Sequence, residues 1–414
     1  MKGILVIIDG LGDKPCKQLN GKTPLEAANT PELDFLAKEG EQGILYPIKE
    51  GSTPESDTAI ISLLGNNPFI SSRGQLEALG AGIKLNRGDL ALRTNFATIT
   101  DIKDGKLIDR RAGRNLTTKE AYILAKAINK QVVLPCKFIF KPTIQHRGIL
   151  VLRGGFSDNI TNTDGAYEIK GRFQAKNRFE FSKPLDEEDN AEYTAKVVNE
   201  FIQESYDVLV KHPVNMERRK KGLMPANIII TRDAGIEIPK LNIMNKWACI
   251  SYMPLEIGIG KAGKMDVFSF EYPEMKNFDV YQNLYEGLEK AIGFSITTLK
   301  KIWGKYDYCY IHFKETDVPG HDNRPLDKKK MIELIDKEFF SFIKKMLGKE
   351  KFKIAVTADH STVCSLKSHS SDPVPMLLYG SEKDETKSFS ETEARTGRLG
   401  KIYGKDFLKK IGFN

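Results

Sequence analysis

Short apolar runs rich in β-branched residues recur along the chain, each bounded by polar or turn residues: Ile4–Ile8, Ile228–Thr231, Tyr308–Phe313, Phe352–Thr357 and Met376–Tyr379. Continuous apolar runs of this kind predict strands buried on both faces. Helical spacing fills many of the intervals. Asn283–Leu299 mixes apolar and charged residues at helical steps. Lys328–Leu347 sets Met331, Leu334, Ile335, Phe339, Phe342, Ile343 and Met346 at steps of three and four, which is one face of a helix. Strands alternating with helices predict an α/β fold with a mostly parallel sheet.

The middle of the chain has a different rhythm. Thr94–Thr100, Phe138–Lys141 and Gly148–Arg153 read as strands, and Thr118–Ile128 and Ala191–Val210 as helices. The polar stretch Gly155–Glu180, with Ser-Asp-Asn and Asn-Thr-Asp-Gly, reads as loop. The chain has 414 residues, more than one hydrophobic core usually supports. The expected organisation is a smaller α+β domain at 93–222 inserted into a discontinuous main domain of 1–92 and 223–414.

Composition narrows the class. At 40% hydrophobic and 29% charged, the sequence is neither a disordered chain, a collagen nor a disulfide scaffold. It has no run of about 18 apolar residues, so no membrane span is expected. The opening MKGILVIIDG reads as a buried strand rather than a signal peptide. Cys16, Cys136, Cys249, Cys309 and Cys364 are scattered and form no CxxC, which fits reduced thiols in a cytoplasmic protein. The net charge of +8 is mild for this length. Lys328 to Lys330 and Lys344-Lys345 lie in amphipathic stretches and are expected on solvated faces. No RNP, zinc-finger or helix-turn-helix signature accompanies them, so no nucleic-acid partner is expected, and a small phosphorylated substrate suits the charge as well as a nucleic acid would.

The candidate chemistry lies in the histidines. Of His146, His212, His312, His321, His360 and His369, the last three crowd into polar settings beside predicted strand ends. Asp317 and His321, four apart, follow the strand Tyr308–Phe313. Asp359-His360 follows Phe352–Thr357, and Asp9 ends the first strand. Open α/β sheets bind ligands at the carboxyl ends of their strands. Asp9, Asp317, His321, Asp359, His360 and His369 offer the mixed carboxylate and imidazole donors that suit Mn²⁺ or Zn²⁺. Six ligands exceed the need of one catalytic metal and fit a pair, which drives in-line phosphoryl displacement. Taken singly, each histidine reads first as a satisfied core or surface residue and each aspartate as a helix N-cap; it is the whole ordered set that points to metal. Ser56 opens a helical stretch in SDTAIISLLG. It reads either as an N-cap or as a nucleophile, its hydroxyl lying where backbone N–H groups and the helix dipole accept phosphate.

These residues belong to longer motifs: IIDGLGDKP, LNGKTPLEAANTPELD, SDTA, LEALGAG, RGDLALRTNFAT, DRRAGR, HRG, LVLRG, PANIIITR, HFKETDVPGHD, TADHSTV and HSSDPVPMLLYG. Nearly end to end, the chain resembles the archaeal-type, cofactor-independent phosphoglycerate mutases of the alkaline phosphatase superfamily. The resemblance implies an alkaline-phosphatase-like α/β fold and interconversion of 3-phosphoglycerate and 2-phosphoglycerate in glycolysis and gluconeogenesis, without 2,3-bisphosphoglycerate. It implies that Ser56 is phosphorylated. One divalent ion would be held by Ser56, Asp9, Asp359 and His360, and a second by Asp317, His321 and His369. Mn²⁺ is the leading candidate, with Zn²⁺, Mg²⁺ and Co²⁺ as alternatives. Arg110, Arg111, Arg114, His146, Arg147 and Arg232 are the expected substrate clamp, since the arginine fork binds phosphate and carboxylate bidentately.

The chain departs from the family pattern around the substrate. The family's Gly-Ser-Asp-Thr-Ala-His reads Glu55-Ser56-Asp57-Thr58-Ala59-Ile60. Its Lys-Gly-Ile-x-Arg reads Ile257-Gly258-Ile259-Gly260-Lys261, with Lys261 or Lys264 as replacement for the lost lysine. Gly-Ala-Thr-Gly followed by Asp-Thr-Asn reads Glu271 to Asp279, and Arg-Gly-Ala reads Arg232-Asp233-Ala234. An alternative reading is therefore a phosphohydrolase or phosphotransferase of the same superfamily acting on another phosphate or phosphonate. A noncatalytic binding protein would be expected to have lost metal ligands, and all seven positions are present. No feature of the sequence sets an oligomeric state.

Overall fold

Every residue of the first strand, Gly3–Ile8, is buried, as its unbroken apolar run requires for a strand covered on both faces. In this computed structural model, which describes residues 1–166, 177–276 and 279–413, that strand lies inside an eight-stranded sheet. Part of the loop expected at Gly155–Glu180, and Asn277 and Phe278 of the departing Glu271–Asp279 stretch, lie outside the described residues. Along the chain the strands are β1 (Gly3–Ile8), β2 (Gly40–Tyr46), β3 (Leu90–Ile99), β4 (Leu107–Asp109), β5 (Phe138–Pro142), β6 (Arg147–Leu152) and β7 (Ile228–Gly235). They continue as β8 (Trp247–Ile250), β9 (Asp266–Phe268), β10 (Tyr308–Phe313), β11 (Lys353–Thr357), β12 (Ser361–Val363), β13 (Ser368–Ser370), β14 (Val374–Tyr379) and β15 (Gly400–Tyr403).

The large sheet runs in the order β15-β2-β14-β11-β1-β10-β8-β9. Only β14 pairs antiparallel with its two neighbours, so the sheet is mostly parallel, as the alternation of strands and helices predicts. At its centre β11, β1 and β10 are parallel and in step: Ile8 pairs with Phe313, and Ile7 with Thr357. This register releases the segments starting at Asp9, Lys314 and Ala358 at the same end of the sheet.

A second sheet, ordered β4-β3-β6-β5 with β7 also on β3, is antiparallel and has its own buried apolar cluster around Phe96, Leu124, Leu150, Phe201 and Ile229. The main cluster surrounds the large sheet. The second sheet draws on chain from Leu90 to Gly235, a longer run than 93–222. Ile228–Thr231 was expected with the main domain, but β7 pairs with β3, because periodicity marks a strand without naming its neighbour. Lys328–Leu347, expected as one helix, is interrupted by a widened turn at Ile335–Phe340. That turn directs the Asp336 carboxylate to the backbone N–H groups of Glu32 and Leu33. Lys328, expected on a solvated face, is fully buried. Its four-carbon stem lies inside the protein, and its ammonium finds acceptors there.

Candidate active site

Asp9, Asp317, His321, Asp359, His360 and His369 are brought together at the carboxyl end of β1, β10 and β11. Two groups capable of holding a cation form among them, Asp9/Asp359/His360 and Asp317/His360/His369, with donor atoms within 4.8 Å of one another in each. His321 joins the second through Nε2, 3.4 Å from Asp317 Oδ2. Ser56 begins the helix Ser56–Leu63, and its hydroxyl oxygen is 3.2 Å from His360 Nε2. All seven residues expected to hold metal therefore converge.

The imidazoles share one pattern of orientation. His321 donates from Nδ1 to the Lys367 carbonyl at 3.0 Å, and His369 donates from Nδ1 to the Pro54 carbonyl at 3.0 Å. His360 donates from Nδ1 to Thr362 Oγ1 at 3.0 Å, while that hydroxyl donates to Asp317 Oδ1 at 2.7 Å. Each Nε2 is left aimed into the cluster. This is how metal-ligating histidines are normally oriented, with the other nitrogen committed to an outer partner. The Asp359 carboxylate accepts the N–H groups of Gly10 and His360 through Oδ1, both at 3.1 Å. Its Oδ2, like Asp9 Oδ1, is buried with no hydrogen-bond partner. Buried carboxylate oxygens are expensive unless hydrogen-bonded or bound to a cation. The donor set and its orphaned oxygens fit divalent ions.

Electrostatics reflects the crowding. Burial lowers His360 to about 3 against the pull of Asp359. Burial also opposes protonation of His369, but Glu55 and Asp317 overcome it and raise this imidazole to about 9. Burial would raise Asp359, yet His360 and Lys314 hold it below the ordinary carboxylate range. The His360 and His369 rings stack with centroids 3.6 Å apart.

Four participants were not identified from sequence. His312 on β10 is fully buried and places Nε2 3.2 Å from Asp9 Oδ2. Lys314 contacts Asp9 Oδ2 and reaches Glu256 Oε1 at 3.0 Å. Glu256 is pushed up to about 8 by burial. Thr362 bridges Asp317 and His360. A histidine inside an apolar strand reads as core, and Lys314 carries no spacing signal of its own. Its place directly after the apolar run Tyr308–Phe313 was the available clue.

The expected substrate residues divide. His146 is buried with Nδ1 unpartnered, and burial beside Arg147 holds it far below its ordinary pKa. Arg147 contacts Met253 Sδ at 3.6 Å through Nη1, while its Nε has no partner. Burial and neighbouring Arg93 lower its guanidinium to about 10. Arg93, unremarked in the sequence, is 7% exposed with Nη1 unpartnered. Arg110 is paired with Asp164 at 2.6 Å, and Arg232 with Asp233 at 3.4 Å. Arg111 lies close enough to depress both His146 and Arg147. Arg114 pairs with Asp322, next to His321, at 2.6 Å. Lys261 is not part of this cluster: it is exposed, and its ammonium donates to the Leu79 carbonyl at 3.2 Å. On the helix Pro254–Ala262, five residues turn it about 140° from Glu256.

The second sheet and the cluster are joined by named contacts. Arg114 pairs with Asp322, Gln145 donates to Asn283 at 2.8 Å, and Arg147 meets Met253. A charge chain runs from Glu55 to Arg73 at 3.7 Å, to Glu77 at 2.8 Å, and to Arg93 at 3.3 Å. Glu55, the residue before Ser56, also lies 3.6 Å from His369 Nδ1.

Fold and site define an α/β protein with a carboxylate–imidazole cluster at the carboxyl end of a mostly parallel sheet, beside a serine at a helix N-terminus. Residues 37–215 match the family described as 2,3-bisphosphoglycerate-independent phosphoglycerate mutase. Proteins of that name from Thermococcus kodakarensis and Pyrococcus abyssi are each 40% identical over 98% of this chain, covering 95% and 96% of their own lengths. A solved cofactor-independent phosphoglycerate mutase from Thermoplasma acidophilum is 32% identical, with a TM-score of 0.57 over 99% of this chain and 98% of that one. A solved Pyrococcus horikoshii protein, also 32% identical, has a TM-score of 0.73 over 100% of this chain and 98% of its own. The chain belongs to the 2,3-bisphosphoglycerate-independent phosphoglycerate mutase family.

Proposed function

We propose that this protein interconverts 3-phosphoglycerate and 2-phosphoglycerate through a phosphoserine at Ser56, serving glycolysis and gluconeogenesis in the cytoplasm. The observation that carries the reading is the approach of Ser56 to His360 within a cluster of orphaned carboxylate oxygens and inward-facing imidazoles. Asp9, Ser56, Asp359 and His360 would hold one divalent ion, and Asp317, His321 and His369 the other, Mn²⁺ being the best match to this donor set. Such ions supply Lewis acidity, easing ionisation of the serine hydroxyl and neutralising charge on the phosphoryl group.

Ser56 Oγ attacks phosphorus, the bond from phosphorus to the C3 oxygen breaks, and the glycerate oxygen takes up a proton. The bound glycerate turns until its C2 hydroxyl faces phosphoserine. That oxygen attacks phosphorus, giving up its proton, and the bond to Ser56 Oγ breaks. Arg147, His146, Arg111 and Arg93 bind the substrate anions; Arg110, Arg114 and Arg232 fix the surrounding loops through carboxylates. The segment carrying the second sheet acts as a lid, latched by the Arg114–Asp322 pair beside His321. It keeps water from phosphoserine and turns a phosphatase-like site into a mutase.

The test is to add Mn²⁺ to metal-free protein with 3-phosphoglycerate as sole substrate. Formation of 2-phosphoglycerate without phosphate release is the expected result; no turnover while Ser56 accepts phosphate from another donor overturns it. Glu55 and Asp233, acidic side chains among the arginines, favour a second reading as a phosphohydrolase or phosphotransferase for a different phosphate or phosphonate. Inorganic phosphate as the main product would select the hydrolase.

A further inference from the structure

Lys328 is buried in the helix Pro325–Leu334, which follows the segment carrying Asp317 and His321. Its ammonium donates to the Gly12 carbonyl at 3.1 Å, to Asp13 Oδ2 at 2.8 Å and to the Thr362 carbonyl at 2.8 Å. An ammonium has three protons, and all three are used. Gly12 and Asp13 belong to the loop that carries Asp9, and Thr362 to the loop that carries Asp359 and His360. Asp13 extends the tie, since its Oδ1 accepts the N–H of Cys364 at 3.0 Å.

The tied loops are in close contact. Thr362 N donates to the Gly12 carbonyl at 3.0 Å. The side chain of Thr362 touches both Asp317 and His360. A Cβ on Gly12 would lie 2.1 Å from Ser361 Oγ, and one on Gly320 would lie 2.6 Å from Thr362. Such loops have little room to shift independently.

We infer that Lys328 is a positioning residue for metal binding: a buried cation that fixes the three ligand-bearing loops relative to one another. The inference rests on the two-metal reading above. Lys328 touches neither substrate nor any of the seven expected ligands. It acts through Thr362 and through the backbone that carries Asp9.

Calorimetric titration of Mn²⁺ into metal-free wild type, Lys328→Met and the double variant Asp13→Asn/Lys328→Met tests it. Wild type is expected to bind two ions. Lys328→Met should bind them about 10- to 100-fold more weakly, the usual effect of losing an outer partner of a metal site. KM for 3-phosphoglycerate at saturating Mn²⁺ should stay unchanged. Should Lys328→Met fail to fold, the double variant carries the test, because removing both members leaves no unpaired buried charge. An amide oxygen at position 13 can still accept from Cys364. Wild-type affinity in a folded Lys328 variant overturns the inference. So does an equal loss in the core truncation Ile343→Val, which would mark a general effect of instability. If wild type itself binds no Mn²⁺, the two-metal reading fails, and the role of Lys328 fails with it.

Discussion

Ser56 Oγ and His360 Nε2 lie 3.2 Å apart across 304 residues of sequence. The hydroxyl is held by its place at the start of the helix Ser56–Leu63, and the imidazole by Thr362. Ser56→Ala removes the proposed nucleophile but no packing of consequence. Its kcat should fall by about 10³-fold or more, with circular dichroism and thermal melting near wild type. Turnover within tenfold of wild type would remove Ser56 from the chemistry.

Arg147 and Lys261 should behave oppositely. Arg147 is largely desolvated, with Nε unpartnered, so Arg147→Ala should raise KM for 3-phosphoglycerate about 10- to 100-fold, the scale of one or two charge-assisted hydrogen bonds. Lys261→Ala should leave KM and kcat unchanged. Steady-state kinetics on both variants decides the point, and a larger KM effect at Lys261 would refute this placement of the substrate.

Asp233 predicts a pH-dependent gain in stability. Burial, opposed by Arg93 and Arg73, raises its carboxyl to about 6. The folded value lies above the unfolded one near 3.9, so folding favours the protonated form. Its stability contribution is therefore fullest below about pH 4 and is lost as pH rises toward 6. Asp233→Asn should match wild type near pH 4 and exceed it above pH 6 by on the order of 2 kcal/mol. Asparagine also accepts the left-handed backbone at this position, where φ is 56°. Denaturant unfolding across pH 4 to 8 tests it; a difference independent of pH would refute it.

Gly10 has φ of +60°, and a Cβ there would lie 2.5 Å from Thr362 Oγ1 and 3.0 Å from Asp317 Oδ1. Gly10→Ala should cost about 1–3 kcal/mol through backbone strain and overpacking. It should also weaken Mn²⁺ binding by displacing Thr362. Melting of the metal-free protein and Mn²⁺ titration measure the two effects separately, and an unchanged melting temperature would contradict the packing argument.

Much of this was legible in the residues. The apolar run Tyr308–Phe313 coincides with β10, and Ile4–Ile8 falls short of β1 by one residue. Asp9, Asp317 and Asp359 follow strands at positions the pattern marked. Tertiary pairing was not legible. Periodicity announced a strand at Ile228–Thr231 but not that it joins β3. Lys328 stood among lysines with the look of a solvated face, and only three-dimensional packing surrounds it with carbonyls. His312 was hidden by its apolar neighbours on β10. Lys261 matched a motif by linear spacing, whereas the helix directs it away and Lys314 occupies the ground beside Asp9.

The central place of β1 has a consequence for biosynthesis. Its partners begin at Tyr308 and Lys353, so the GILVII segment leaves the ribosome long before either neighbour exists. For most of translation it is an apolar strand with two open edges, the kind of segment that invites aggregation. In the proposed metal site, Asp9 would likewise wait for His360. By the strand order of this sheet, neither edge of β1 is covered until the chain beyond Tyr308 and Lys353 has been made.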